Sequence, residues 1–316
     1  MTSDAATTVS VMDVGGTHVT AAQVEVAAGG LHLGPSFREP LDSAAGTDEF
    51  VAALVRCAGR LPGPAARHWT IALPGPFDYE RGIGRYQDVG KFDALRGFDL
   101  RAALTDHLPG RPTLGFCNDA DAFAYGEWQA GAARGHRTVA GLTLGTGVGS
   151  CFLREGGIVR QGPGIPPGGR IDLMEYQGRP LEETVSRRAL RRAYAQGTGA
   201  RQEADPPGEP DVREIAERAR AGDDVAARVL TNAFHALGQA LGPMLAAFAP
   251  DVLVIGGSIA TSWDLVAPPL REGIADAEHG DGGTVVAAAQ LDWRAPLLGA
   301  AYLAATPVLA EAASRT

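Results

Sequence analysis

The sequence predicts an α/β protein made of two similar halves, each a set of strands leading into a helix. Three observations carry that prediction. Apolar runs of strand length alternate with longer segments of helical spacing. A strand-turn-strand segment beginning at Val11 has a counterpart beginning at Leu142, each turn being rich in Gly and Thr. Between them, Asn118-Asp119 closes one apolar strand and opens a helix. Two βββα halves facing a central cleft would set the two turns opposite each other.

Each element follows from local signals. Residues 1–8 read as a ragged terminus, and Val9–Val14 as a strand ending in Asp13-Val14-Gly15-Gly16-Thr17. His18–Val26 and Leu31–Arg38 continue as strands joined at Gly29-Gly30, a hairpin signal. Thr47 can cap a helix over Asp48–Leu61, with Asp48 and Glu49 in its positive first turn. His68–Leu73 is a strand ending in Pro74-Gly75-Pro76, and a loop region runs on to Phe98. Asp99 caps a short helix to Leu108, and Thr113–Cys117 is the fifth strand.

The second half repeats the plan. A helix from Ala120 to about Ala133 leads to strands Thr138–Leu144, Gly149–Arg154 and Gly157–Arg160. After a Gly/Pro-rich loop over 162–169, helices are expected at Leu181–Ala195, Pro210–Ala221 and Asp224–Phe248. In the last of these Val225, Val229, Ala233, Leu237, Leu241, Leu245 and Phe248 form one apolar stripe. Residues 197–210 are polar and read as an exposed connection. Asp251–Ile255, a helix from Ser262, a strand near Val285–Ala289 and a helix from Pro296 complete the chain.

Composition narrows the function. No apolar run is long enough to span a bilayer and no signal peptide opens the chain, so a cytoplasmic protein is expected. A net charge of −9 argues against general nucleic-acid or membrane binding. Cys57, Cys117 and Cys151 are scattered without paired spacing and read as reduced, buried small side chains. Lys91 is the only lysine, which excludes a Walker-type phosphate loop with its Gly-Lys-[Ser/Thr].

A Gly/Thr turn between strands exposes successive N–H groups and a hydroxyl that can wrap phosphate oxygens. Alone, either turn is a weak signal, since most such hairpins are only tight turns. Asp13 before the first turn adds a carboxylate able to hold Mg²⁺ through water, or simply one that caps a turn. Asp119 at a helix start can be an ordinary cap residue. In a functional reading it accepts the proton of an attacking hydroxyl while Asn118 orients the substrate, and the helix amides keep it ionised.

Six motifs in order, Asp13-x-Gly15-Gly16-Thr17, Pro74-Gly75-Pro76, Asn118-Asp119-Ala120, Leu144-Gly145-Thr146-Gly147-Val148-Gly149, Leu181-Glu182 and Val254-Ile255-Gly256-Gly257, resemble the ROK family over about residues 9–306. Those are sugar kinases and repressors of the actin/hexokinase/Hsp70 superfamily. The resemblance implies two RNase H-like domains around a central cleft that takes ATP and Mg²⁺, with phosphoryl transfer to a sugar hydroxymethyl group. It places the first domain over 1–117 and the second over 118–295, with the last helix, about 296–316, packing back on the first. Asp119 becomes the general base, and Asn118 and Glu182 sugar ligands. Asp13, Gly15, Gly16 and Thr17 become the first phosphate loop, Gly145, Thr146, Gly147 and Gly149 the second, and Gly256 and Gly257 an adenosine-binding turn.

One segment departs from that family. ROK kinases usually carry Gly-Glu-x-Gly-His, whose Glu and His contact hydroxyls at the C1/C2 side of the sugar, and the His shares a zinc with a cysteine cluster. Here Gly169-Arg170-Ile171-Asp172-Leu173-Met174 stands in that place, and Tyr176-Gln177-Gly178-Arg179-Pro180 where cysteines should be. Arg170 then replaces the glutamate and Leu173 the histidine, so no zinc site is expected. A shifted register recruits Asp172 or Glu175 instead. An acceptor altered at its C1/C2 edge, such as a modified hexose, an amino sugar or a hydroxymethyl cyclitol, is expected in preference to plain glucose.

The alternatives are a glucokinase of ordinary hexose specificity and a non-enzymatic ROK-type sugar-sensing regulator. Only 12 residues precede Asp13, so no winged-helix DNA-binding module is expected there. An acetate-kinase-like enzyme would need no base, and Asp119 argues against it. A homodimer is left open, as is polyphosphate in place of ATP.

Overall fold

The computed structural model describes residues 7–27, 29–63, 67–87, 89–108, 110–199, 210–277 and 283–313. Residues 1–6 and 200–209, expected as a loose terminus and an exposed connection, lie outside these. Two compact units emerge, one of Met1–Gly131 with Trp293–Thr316 and one of Ala132–Asp292.

In the first unit β1 (Thr7–Val14), β2 (His18–Ala27) and β3 (Gly30–Pro40) form an antiparallel meander, and α1 (Thr47–Ala58) leads to β4 (His68–Leu73). Two short strands, β5 (Phe77–Asp78) and β6 (Ile83–Gly84), precede α2 (Leu100–His107), β7 (Thr113–Asn118) and α3 (Asp119–Ala130). The sheet order is β3-β2-β1-β4-β7, with β4 and β7 parallel to β1. β1 is central, and Val9, Val11, Met12 and Val14 are buried, the run expected of a strand covered on both faces. Aromatic side chains Phe50, Phe77, Tyr86 and Phe92 fill the core beside it.

The second unit repeats this order. β8 (Thr138–Leu144), β9 (Val148–Arg154) and β10 (Gly157–Ile158) form the meander, and the small hairpin β11 (Glu175–Tyr176) and β12 (Arg179–Pro180) follows. Helices α4 (Glu182–Val185), α5 (Arg187–Gly197), α6 (Val212–Arg220) and α7 (Asp224–Phe248) precede β13 (Val252–Gly256), α8 (Trp263–Asp276) and β14 (Val285–Ala288). The sheet order is β10-β9-β8-β13-β14, the same 3-2-1-4-5 arrangement. The two Gly/Thr turns thus occupy the same topological position, between the central strand and its antiparallel neighbour. Within the unit α7 packs on α8 and lines the core with Leu230, Phe234, Leu237, Leu241 and Leu245.

Local chemistry explains where elements begin. Asp99 caps α2 by accepting from the Ala102 amide at 2.8 Å. The single helix expected over 181–195 is two, because Ser186 adopts extended backbone and its hydroxyl accepts from the Ala189 amide to cap α5. Thr47 is not a cap: Gly46 holds that place without a side chain, and Thr47 is the first helical residue.

The terminal helix α9 (Ala295–Ala313) packs on α3 within the first unit. The units therefore divide after α3, at 131/132, rather than before it. Gly126 of α3 lies against the Ala295 carbonyl, and Gly299 of α9 against the Ala122 carbonyl and the Gly126 amide, so a Cβ on either would collide with backbone. Gly299→Ala is expected to cost about 1–3 kcal/mol, the usual cost of overpacking. A melting temperature unchanged from wild type would show that the helices part without cost.

Candidate active site

In the first unit the parallel strands β1, β4 and β7 end together. Asp13 is in register with Ala72, and Leu73 with Asn118. The carboxyl ends of parallel strands are where open α/β sheets bind ligands. The turn after β1 is held in shape by backbone bonds: Gly15 donates to the His18 carbonyl at 2.9 Å, Leu41 to Thr17 at 3.0 Å and Ser43 to Gly16 at 3.2 Å. Thr17 is exposed, and its hydroxyl lies 3.1 Å from His18 Nδ1.

Asn118 and Asp119 divide their work. Asn118 is the cap of α3, and its Oδ1 accepts from the amides of Ala120 at 3.0 Å and Asp121 at 3.2 Å. Asp119 is the first helical residue, and its Oδ1 accepts from Ala120 at 2.9 Å. Among the described residues no hydrogen bond reaches Asp119 Oδ2, which leaves that atom open to a hydroxyl. The expectation that the helix start keeps Asp119 readily ionised needs correction. Burial raises its pKa; the Lys91 charge and the Ala120 amide work against that, and Asp121 adds to it. The sole lysine is thus a counter-charge to the candidate base, a role that its composition alone does not disclose.

Asp13 is pushed up to about 7, by burial first and by Asp119 second, against the pull of Arg38. The linkage is opposite to that of an ordinary paired carboxylate. A carboxyl whose folded pKa is raised contributes stability below its ordinary pKa of 3.8 that is lost as pH rises through about 7. Asp13→Asn should therefore gain stability relative to wild type from pH 4 to 8, by at most about 4 kcal/mol. His18 and His68, lowered by burial, tilt both proteins the other way near neutral pH and cancel in the difference. Parallel thermal melts would read it, and a pH-independent difference would place Asp13 in a solvated site.

In the second unit β8 and β13 end side by side, with Thr143 in register with Gly256. Gly145 donates to the Gly147 carbonyl at 3.0 Å, and Thr146 is exposed at the tip of the turn that leads to Gly149. Gly257 has φ +88°, and a Cβ there would strike the Leu144 backbone, so only glycine lets this turn lie against the end of β8. A Cβ on Gly145 would stand 3.7 Å from Ser258 Oγ, which brings the two glycine turns together and adds Ser258 to them. Glu182 sits on the same turn: its Oε2 accepts from the Val148 amide at 3.1 Å, and a Cβ on Gly147 would lie 2.9 Å from it. The Arg187 amide donates to the Gly145 carbonyl at 2.9 Å.

The departing segment is pinned to β9 by the buried Ser150, whose hydroxyl donates to the Gly169 carbonyl at 2.6 Å and accepts from the Ile171 amide at 3.0 Å. Arg170 forms a two-pronged ion pair with Asp172. Leu173 is exposed, and Glu175 is exposed on β11. Among the described residues no group of three or more His, Cys, Asp or Glu is placed to hold a metal ion, and no helix is long and apolar enough to cross a membrane. Cys57 and Cys151 are buried, Cys117 is half-buried, and none of the three is in a disulfide.

Comparison with known proteins supplies the relatives. The model of the ROK family matches residues 9–306. The glucokinase of Thermotoga maritima is 31% identical over 229 residues, which cover 68% of this chain and 71% of that protein. The beta-glucoside kinase of Klebsiella pneumoniae is 31% identical over 209 residues, 62% of this chain and 65% of that one. Among solved structures, a ROK family glucokinase from Streptomyces griseus in complex with glucose and AMPPNP superposes with a TM-score of 0.72 at 25% identity, covering 94% of this chain and 99% of that one.

Proposed function

The chain belongs to the ROK family, and we propose from that premise that it is an ATP-dependent carbohydrate kinase acting on the hydroxymethyl hydroxyl of a sugar-like acceptor. The observation that carries this reading is Asp119, an enclosed carboxylate at the end of β7 with Oδ1 tied to an amide and Oδ2 open. An attacking hydroxyl would give its proton to Oδ2. The Lys91 charge and the Ala120 amide favour the ionised base, and burial makes it a stronger one than a solvated carboxylate. The relatives named glucokinase and beta-glucoside kinase support a sugar as the acceptor class.

The Gly145–Gly149 turn would bind phosphate through its amides, and so would the Gly15–Thr17 turn. Asp13 fits a cation, because its half-buried carboxyl lies near the Asp119 carboxyl, and desolvation first and that charge second raise its pKa. Bound there, Mg²⁺ would neutralise charge on the transferring phosphoryl group. Gly256 and Gly257 would face the nucleotide. For the acceptor, the proposal is a modified hexose, an amino sugar or a hydroxymethyl cyclitol, with Glu182 and the 170–175 segment governing the choice. ADP release measured with glucose, amino sugars and hydroxymethyl cyclitols tests the reading. Acceptor-dependent turnover supports it, and ADP release that no acceptor stimulates would overturn it.

A further inference from the structure

We infer that Tyr79 is a positioning residue for the acceptor, fixing the Asn118 amide so that it presents one N–H and can only donate; the inference rests on the kinase reading. Leu73 and Asn118 are register partners at the ends of β4 and β7. The Tyr79 hydroxyl joins them, donating its single proton to the Leu73 carbonyl at 3.1 Å and accepting from Asn118 Nδ2 at 3.0 Å. The other end of Asn118 is spent on α3, where Oδ1 accepts from two amides.

A primary amide has two N–H donors and two acceptor lone pairs. Three of the four are committed, so one Nδ2–H remains beside Asp119. The direction of that N–H is set by Tyr79, whose own direction is set in turn. Its ring packs on Phe77 with centroids 5.4 Å apart, Phe77 packs on Phe116 at 5.3 Å, and Gly75 leaves room where a Cβ would stand 3.4 Å from the hydroxyl. With its proton given to Leu73, the phenol oxygen can only accept. The acceptor's hydroxyl next to the reacting arm must therefore receive a hydrogen bond from Asn118. Specificity at that position is then set by Tyr79, a residue outside the Asn118-Asp119 pair.

The test is Tyr79→Phe, which keeps the ring and its packing and removes only the hydroxyl. The acceptor KM should rise about 2–13-fold, the range of one net hydrogen bond. kcat should stay within about threefold, because the Asp119 bond to Ala120 is untouched, and the ATP KM should not move. Discrimination between the acceptor and its analogue lacking the neighbouring hydroxyl should shrink. Independently of any substrate, the Asn118 side-chain amide in a ¹⁵N-labelled protein should have one proton protected from exchange in wild type and not in Tyr79→Phe. An acceptor KM within twofold of wild type, or an amide equally protected in both proteins, overturns the inference. Wild type that phosphorylates no acceptor overturns the kinase reading instead, and the amide measurement still decides Tyr79.

Discussion

Replacing Asp119 by Asn is expected to lower kcat about 10²–10⁴-fold, the usual worth of a positioned general base. The fold should survive, because the amide keeps an oxygen to accept from Ala120 and the substitution removes a partly desolvated charge. Relief of that charge should make the variant as stable as wild type or more so, and ATP affinity should be unchanged. Loss of turnover with stability intact separates a base from a structural cap. Turnover near wild type would remove Asp119 from the mechanism and reduce it to the start of a helix.

The second large effect is in specificity. Where the family resemblance leads one to expect a glutamate and a histidine, this chain has Arg170, which is spent on Asp172, and Leu173, which can make no hydrogen bond. On the proposed reading, two acceptor hydroxyls would then lose partners. If the bound acceptor buries those hydroxyls, at about 1–3 kcal/mol for each one left unpaired, glucose should fall about one to four decades in kcat/KM below an acceptor lacking them. Arg170→Glu/Leu173→His should recover part of the loss, and it should do so without changing kcat/KM for ATP. The ion pair also restrains the segment, so Asp172→Asn is the control for a change of loop conformation alone. Glucose as the best acceptor of wild type, with no response in the double variant, would show that this segment does not select the substrate.

What can be read from the sequence is what is local. The Gly15–Thr17 and Gly145–Gly149 turns are legible because glycine between two apolar strands has few other uses, and they fall in equivalent places in the two sheets. Asn118-Asp119 is legible as a strand end followed by a helix start, although the sequence does not say that Asn118 is the cap. Other features depend on register and on long-range packing. Tyr79 meets Asn118 across 39 residues only because β4 and β7 are aligned at Leu73. Glu182 reaches the Val148 amide across 34 residues, a bond that nothing at Leu181-Glu182 announces. Lys91 stands out as the only lysine, yet its relation to Asp119 appears only when the loop before α2 is folded. Gly126 and Gly299 look like weak points in two helices until each is seen against the backbone of the other.

The most direct test of the central claim is the position of the transferred phosphate. The protein would be incubated with ATP, Mg²⁺ and its best acceptor, and the product examined by ³¹P and ¹H NMR. The account predicts a phosphomonoester coupled to the two methylene protons of the hydroxymethyl carbon, formed at a rate that collapses in Asp119→Asn. Phosphate on a ring or anomeric oxygen, or the same product at the same rate from the variant, would contradict it.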